Sequence, residues 1–193
     1  MADSEKDVMT PEEKPEEKSM GREILEWIVT ILAAFAIAML IKSFIFTIAL
    51  VDGESMMPTL NNGDRLVVWR LGYQPQRGDI IVLQQAGKKP YIKRIIAVEG
   101  DTVDIDFNLH TVKVNGEILD ENYILEPIAR SGDMIFPLTV DKDCVFVLGD
   151  NRNNSTDSRF SSVGQVMDED IMGKATIRLF PFTDFGSVYK NEQ

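Results

Sequence analysis

The sequence predicts a mainly β protein, an antiparallel, barrel-like β domain that follows a single N-terminal transmembrane helix. Three observations carry this reading. A continuous apolar run occupies residues 24–41, a series of short β-branched segments separated by turn residues follows it, and no later stretch has the periodicity of a long amphipathic helix. The chain has 193 residues, so once an anchor and a tail are set aside, about one ordinary domain remains.

Residues 1–22 are rich in Glu, Lys and Pro without hydrophobic periodicity. They bury too little surface to offset the entropy of ordering and are expected to form a disordered tail. The anchor is placed at 23–50. Its apolar run is interrupted only by Glu26 and Thr30, and a helix of that length rises roughly 27 Å, close to the thickness of a hydrocarbon core. Trp27 near one end and Phe44 and Phe46 near the other fit an aromatic belt, and Lys42 can snorkel to the far interface. A cleaved leader would have a short apolar core, a basic start and a small-residue exit site. Here the start is long and mostly acidic, and Ala34, Ala36 and Ala38 fall mid-span, so the helix is expected to be retained. Lys6, Lys14, Lys18 and Arg22 precede it and only Lys42 follows before Arg65. That asymmetry predicts a single-pass protein of the cell membrane, with the tail cytoplasmic and residues 51–193 outside.

Strands are expected at 65–69, 79–83, 91–98, 102–105, 111–114, 144–148 and 175–180, each β-branched and bounded by Gly, Pro, Asn or Asp. Asn115-Gly116 signals a two-residue hairpin. Alternation along 91–98 puts Lys93, Ile95 and Ala97 on one face and Arg94, Ile96 and Val98 on the other. Trp69, Leu71 and Tyr73 fit either the core or a membrane-dipping surface.

The formal charge of -11 argues against a nucleic-acid partner, which would need a basic face. Cys144 is the only cysteine, so no internal disulfide is available, and its apolar setting fits a small buried hydrophobe. His110 is the only histidine, and with one His and one Cys no zinc site of the usual kind is expected.

The chemistry centres on Ser55, in Gly53-Glu54-Ser55-Met56-Met57-Pro58-Thr59-Leu60, directly beyond the membrane-length segment. Such a turn is also ordinary loop chemistry. A serine nucleophile needs a base within hydrogen-bond reach. His110 lies at a polar hairpin tip and is poorly suited. Lys93 sits among Ile92, Ile95, Ile96 and Val98, where loss of hydration would lower its pKa; the alternative is a solvent-facing edge lysine. In Gly149-Asp150-Asn151-Arg152-Asn153-Asn154-Ser155-Thr156-Asp157-Ser158-Arg159, loop formers alternate with opposite charges. Arg152 and Arg159 set against Asp150 and Asp157 predict a cross-linked loop that holds a site rigid.

These residues together resemble the bacterial type I signal peptidases, membrane-anchored Ser/Lys endopeptidases, and in particular their Gram-positive branch. The likeness runs through Ser55-Met56-Met57-Pro58-Thr59-Leu60, Gly63-Asp64-Arg65-Leu66-Val67, Arg77-Gly78-Asp79-Ile80, Tyr91-Ile92-Lys93-Arg94-Ile95 and the 149–159 segment, in that order. It implies that Ser55 attacks the scissile carbonyl, that Lys93 is its general base, that Ser155 hydrogen-bonds and orients Lys93, and that Asp157 and Arg159 brace the site. Some members carry Ser or Thr where this chain has Gly53, so the oxyanion hole would rest on backbone N–H groups, that of Ser55 first and one near Gly53 second. The implied substrates are secretory preproteins with small residues at the first and third positions before the cut, processed at the lipid bilayer without a cofactor or metal. Val51-Asp52-Gly53 and the 79–83 strand would flank the extended peptide, with Met56, Asp52, Ile80 and Val82 as substrate-binding residues.

Two other readings compete. A self-cleaving repressor-type peptidase shares the Ser/Lys logic but needs a DNA-binding headpiece and no anchor. A membrane-tethered peptide-binding or scaffold β domain would keep the strands but has no use for a buried lysine facing a serine.

Overall fold

The computed structural model of the chain describes residues 20–190, and at 41–43 the backbone alone. The expected tail therefore lies outside the described residues except for 20–22, which are helical, and the side chain of Lys42 lies outside them too. The chain divides into two compact units, Met1–Ile41 and Lys42–Gln193.

The described part of the first unit is one helix. Helix α1 runs Met20–Ile45; its Met20–Leu40 stretch has a mean hydropathy of 2.0 and none of it is buried. By length and composition this helix is able to cross a membrane. The sequence reading carries the anchor to Leu50, but the helix ends at Ile45 and Phe46–Leu50 forms strand β1. An unbroken apolar run does not by itself separate helix from strand. The pairing of β1 with Arg65–Trp69 (β2) in full register settles it.

The second unit continues with β3 Ile80–Leu83, β4 Tyr91–Val98, β5 Thr102–Asp106, β6 Thr111–Val114, β7 Glu117–Ile118, β8 Leu138–Thr139, β9 Cys144–Leu148, β10 Val166–Met167, β11 Ile171–Phe180 and β12 Gly186–Ser187. The fold is mainly β and antiparallel, as the sequence predicts. An 8-stranded sheet has the order β1-β2-β11-β3-β4-β9-β10, with β12 on β11, and a 4-stranded sheet has the order β7-β6-β5-β8. Bulges in β4 and β11 bend the large sheet, as an extra residue in one strand does, giving a curled half-barrel. The expected hairpin joins β6 to β7, with Asn115 and Gly116 both at positive φ, as the two-residue turn requires.

Three apolar clusters fill the domain. One gathers Val51, Met56, Leu60, Leu66, Ile80, Val82 and Ile92. A second joins the two sheets through Ile96, Ala97, Val103, Val112, Phe146 and Leu148. The third holds Ile81, Leu83, Ile95, Val145 and Val147. Strict alternation along β4 fails after Ile95, where a bulge shifts the register so that Ala97, not Ile96, faces Phe146 across the ladder. Ala97 therefore joins Ile96 in the second cluster, and Val98 packs with Ile95 against the third. Lys93 and Arg94, which precede the bulge, stay on opposite faces.

Cys144 is half-buried against the second cluster, and burial pushes its thiol pKa up. His110 is an exposed turn residue between β5 and β6 at φ 58, its Nδ1 2.7 Å from the Ile128 carbonyl. Trp69 and Leu71 are exposed, whereas Tyr73 packs against the third cluster and donates to Asp79 at 2.8 Å.

Candidate active site

Ser55 sits on the turn that follows β1, and the turn is held from both sides. Its ends are tied by Val51 N–H donating to Asp64 O and Gly63 N–H donating to Val51 O, each at 2.9 Å. Met56 and Leu60 sink into the core, so the neighbouring Ser55 side chain is left half-buried at the surface. The Gly53 N–H is committed to Asn62 Oδ1 at 2.9 Å.

Lys93 reaches this turn from β4. Its side chain is only 3% exposed, and Nζ lies 2.8 Å from Ser55 Oγ and donates to the Ile92 carbonyl at 3.0 Å. Burial is the main cause that brings its pKa down to about 8; the Asp157 and Asp150 carboxylates oppose the shift and Arg159 adds to it. Near neutrality an appreciable fraction of this amine is therefore unprotonated and within reach of a hydroxyl proton, the arrangement that general-base activation of a serine needs.

The 149–159 loop packs against the pair. A Cβ on Gly149 would lie 2.4 Å from both the Ser55 carbonyl oxygen and Ser155 Oγ, so only glycine lets the loop come this close. Asn151 donates through its backbone N–H to Ser55 O at 3.0 Å and through Nδ2 to Glu54 O at 3.1 Å. Asp157 and Arg159, both fully buried, form a two-pronged pair at 2.8 Å for each bond; Asp157 also accepts from Gly149 N–H at 3.1 Å. Asp150 is paired with Arg94 across the fold, and Arg152 with Glu121.

Ser155 departs from expectation. It is buried beside Gly149, and its Oγ has no hydrogen-bond partner among the described residues, Lys93 included. In this structure the contact that orients Lys93, besides Ser55 itself, is the carbonyl of Ile92 in its own strand.

The profile of the family described as signal peptidase, peptidase S26, matches residues 24–180. The chain belongs to this family. Signal peptidase IB of Staphylococcus aureus (strain COL) is 36% identical over 184 residues, an alignment that covers 86% of this chain and 94% of that protein. Signal peptidase I P of Bacillus subtilis subsp. natto is 38% identical over 176 residues, with the same coverage. Among solved structures, a signal peptidase I from Enterococcus faecalis V583 has 31% identity, a TM-score of 0.46, and coverage of 54% of this chain and 98% of that one. The protein is thus a serine endopeptidase, a hydrolase.

Two cavities of this peptidase domain bear on the site, and only the second is lined by Ser55. One, of about 300 Å³, lies between β1 (Thr47 to Leu50) and Val82, Pro90, Ile92 and Met172. The other, of about 370 Å³, contains Ser55 and Lys93 themselves, with Asp52, Lys88, Tyr91, Thr156 and Val163 around them. Of the four residues expected to bind substrate, Val82 lines the first cavity and Asp52 the second, while Met56 and Ile80 are buried in the core. Nor do the flanking strands match expectation. Val51-Asp52-Gly53 is not a strand, and β3 is paired along both edges, with β4 and β11. β1 does have an unpaired edge, at one end of the large sheet, as β10 has at the other.

No separate part is expected from the sequence for Gly149, Asn151 or the 84–90 segment. In the last, Gln85 accepts from Tyr91 OH and Lys88 Nζ, both at 2.7 Å, and donates to Val163 O at 2.8 Å, while Lys88 also donates to Ser162 O. This polar latch joins two loops across the outer rim of the second cavity. Its residues look like plain surface polars in one dimension. Gly149 and Asn151 stood inside a recognised segment, but only their contacts with the Ser55 turn distinguish them.

Proposed function

We propose that the protein removes N-terminal signal peptides from exported preproteins, with Ser55 as nucleophile and Lys93 as general base. The observation that carries this is the 2.8 Å contact between a buried amine and a half-buried hydroxyl, combined with a Lys93 pKa brought down to about 8 chiefly by burial.

Neutral Lys93 takes the Ser55 proton as Oγ attacks the scissile carbonyl. The negative charge that develops on the carbonyl oxygen is met by the Ser55 N–H. As the tetrahedral adduct collapses, the Lys93 ammonium returns its proton to the departing amine, leaving an acyl-enzyme; water, activated by Lys93, then releases the signal peptide. Because one group must serve both the attacking oxygen and the leaving nitrogen, the mature chain departs on the Lys93 side of Ser55, through the cavity bounded by Asp52, Lys88 and Tyr91.

The residues before the cut then lie in the other cavity, extended along the free edge of β1, where main-chain pairing supplies affinity and side-chain pockets supply selectivity. The volume between Ala49, Val82, Pro90, Ile92 and Met172 is small and mostly apolar, which fits small residues at the first and third positions. The apolar helix anchors the enzyme in the same bilayer as its substrates, with the tail cytoplasmic and residues 51–193 outside.

The test is incubation of the full-length protein, in detergent micelles, with a peptide spanning an Ala-x-Ala exit site. A single cut after the second alanine, abolished by Ser55→Ala and by Lys93→Ala, is expected. A folded protein that binds the peptide without cutting it would be a membrane-tethered binding domain instead.

A further inference from the structure

Resting on that reading, we propose that Asn151 is the positioning residue of the oxyanion hole: it grips both peptide units flanking the Ser55 Cα and so aims the Ser55 N–H at the developing oxyanion. The first grip is the bond from Asn151 Nδ2 to the Glu54 carbonyl at 3.1 Å. A trans peptide unit is planar, and its C=O and N–H point in opposite directions. Fixing the Glu54 oxygen therefore fixes the Ser55 hydrogen at the far end of the same plate. The second grip is the bond from Asn151 N–H to the Ser55 carbonyl at 3.0 Å, which holds the next plate.

The donor so aimed is free to act. The Ser55 N–H has no hydrogen-bond acceptor among the described residues, whereas the Gly53 N–H is committed to Asn62 Oδ1. The Glu54 carbonyl accepts a further bond, from Met57 N–H at 3.2 Å, and two donors on one carbonyl polarise that peptide and strengthen the N–H at its other end. Asn151 is itself only 5% exposed, and its carbonyl accepts from Asn154 N–H at 3.1 Å. Its neighbour Asp150 is locked to Arg94. The residue is thus held by the loop and touches the nucleophile only through the backbone, which is why it positions the donor and takes no part in proton transfer.

The experiment compares wild type with Asn151→Asp, which keeps the shape but loses the Nδ2 donor, and Asn151→Ala, which loses the side chain but keeps the backbone bond. Full-length proteins in micelles are assayed with the exit-site peptide, and their folding is checked by thermal unfolding. We expect kcat to fall about tenfold in both variants with KM changed less than twofold, a transition-state effect smaller than outright loss of an oxyanion donor. A peptide aldehyde forms a hemiacetal in which the Ser55 Oγ bonds to the aldehyde carbon and the former carbonyl oxygen occupies the hole. Its affinity should fall by the same factor, while an uncleavable peptide of the same sequence binds unchanged. In Asn151→Ala, which adds no charge near Lys93, the pH dependence of kcat/KM should not move.

A folded variant with kcat within twofold of wild type would overturn the proposal. So would equal losses in aldehyde and uncleavable-peptide binding, or a shifted pH profile in Asn151→Ala. If Asn151→Asp fails to fold, Asn151→Ala decides alone. A wild-type protein that does not cleave at all sinks the Ser/Lys reading itself, whereas cleavage that needs Ser55 and Lys93 but ignores Asn151 sinks only this inference.

Discussion

Arg94 holds Asp150 by two bonds, from Nε at 2.8 Å and from Nη2 at 2.7 Å, with neither side chain exposed to solvent. It stands one residue along β4 from Lys93, on the opposite face. The pair fastens the strand that carries the amine to the loop that grips the nucleophile turn, and Thr59 Oγ1, donating to Asp150 at 2.6 Å, adds the turn itself. Removing one partner strands a buried charge, which costs about 3–5 kcal/mol. Arg94→Met and Asp150→Leu should each lose that much in denaturant unfolding, and the double variant should recover a good part of it. Single variants as stable as wild type would show that the pair does not hold the loop.

Ser55→Ala should leave the unfolding midpoint unchanged and lower kcat by several orders of magnitude, on the scale of knockouts in other serine peptidases. In the proposed mechanism the side chain supplies chemistry, and it sits at a half-buried turn whose packing comes from Met56 and Leu60. Turnover of the purified variant within tenfold of wild type would remove Ser55 from the mechanism.

With Lys93 as the proposed base, its titration should set the pH dependence. Its folded pKa of about 8 is below the ordinary 10.5, so kcat/KM should rise with pH through about 8 and level off above it. Lys93→Arg should be as inactive as Lys93→Ala, because a guanidinium keeps its proton. The same shift acts on stability. Between pH 8 and 10.5 the unfolded chain holds a proton that the folded chain has released, so stability rises with pH across that window, by about 3 kcal/mol in all. The stability gap between Lys93→Met and wild type should accordingly narrow from pH 7 to pH 10; a constant gap would mean that the amine is not desolvated.

Gly149→Ala puts a methyl group 2.4 Å from the Ser55 carbonyl oxygen, and backbone cannot swing aside as a side chain can. We expect activity to drop at least tenfold even where the protein still folds, because the nucleophile turn and the loop must separate. His110→Ala, on an exposed turn of the other sheet, is the matched control and should keep full activity.

Most of the fold was legible because its strands are short, β-branched and bounded by turn residues. β2, β4, β6 and β9 fall where the pattern places them. β11 begins at Ile171, four residues before the expected 175, and includes Gly173. In the strand it allows the Trp69 carbonyl within 2.2 Å of where a Cβ would stand. The two-residue strands β8, β10 and β12 have too little sequence to carry a signal, and β1 was absorbed into the apolar run before it. At the site, Ser55 and Lys93 were legible as types in suitable surroundings, but partner choice was not. Asp150 selects Arg94 from another strand over Arg152 two residues away, and Ser155 sits beside Lys93 in expectation but not in hydrogen bonding. Such pairings depend on which strands are neighbours, which local pattern does not encode.

The irregularity between Ile95 and Ala97 reaches beyond packing. A regular strand is a rigid rule in which turning one side chain turns them all, but the bulge breaks β4 into two independently phased halves. The distal half leads into the four-stranded sheet, so the phase in which that sheet is entered is separate from the phase that aims the amine of Lys93 at Ser55.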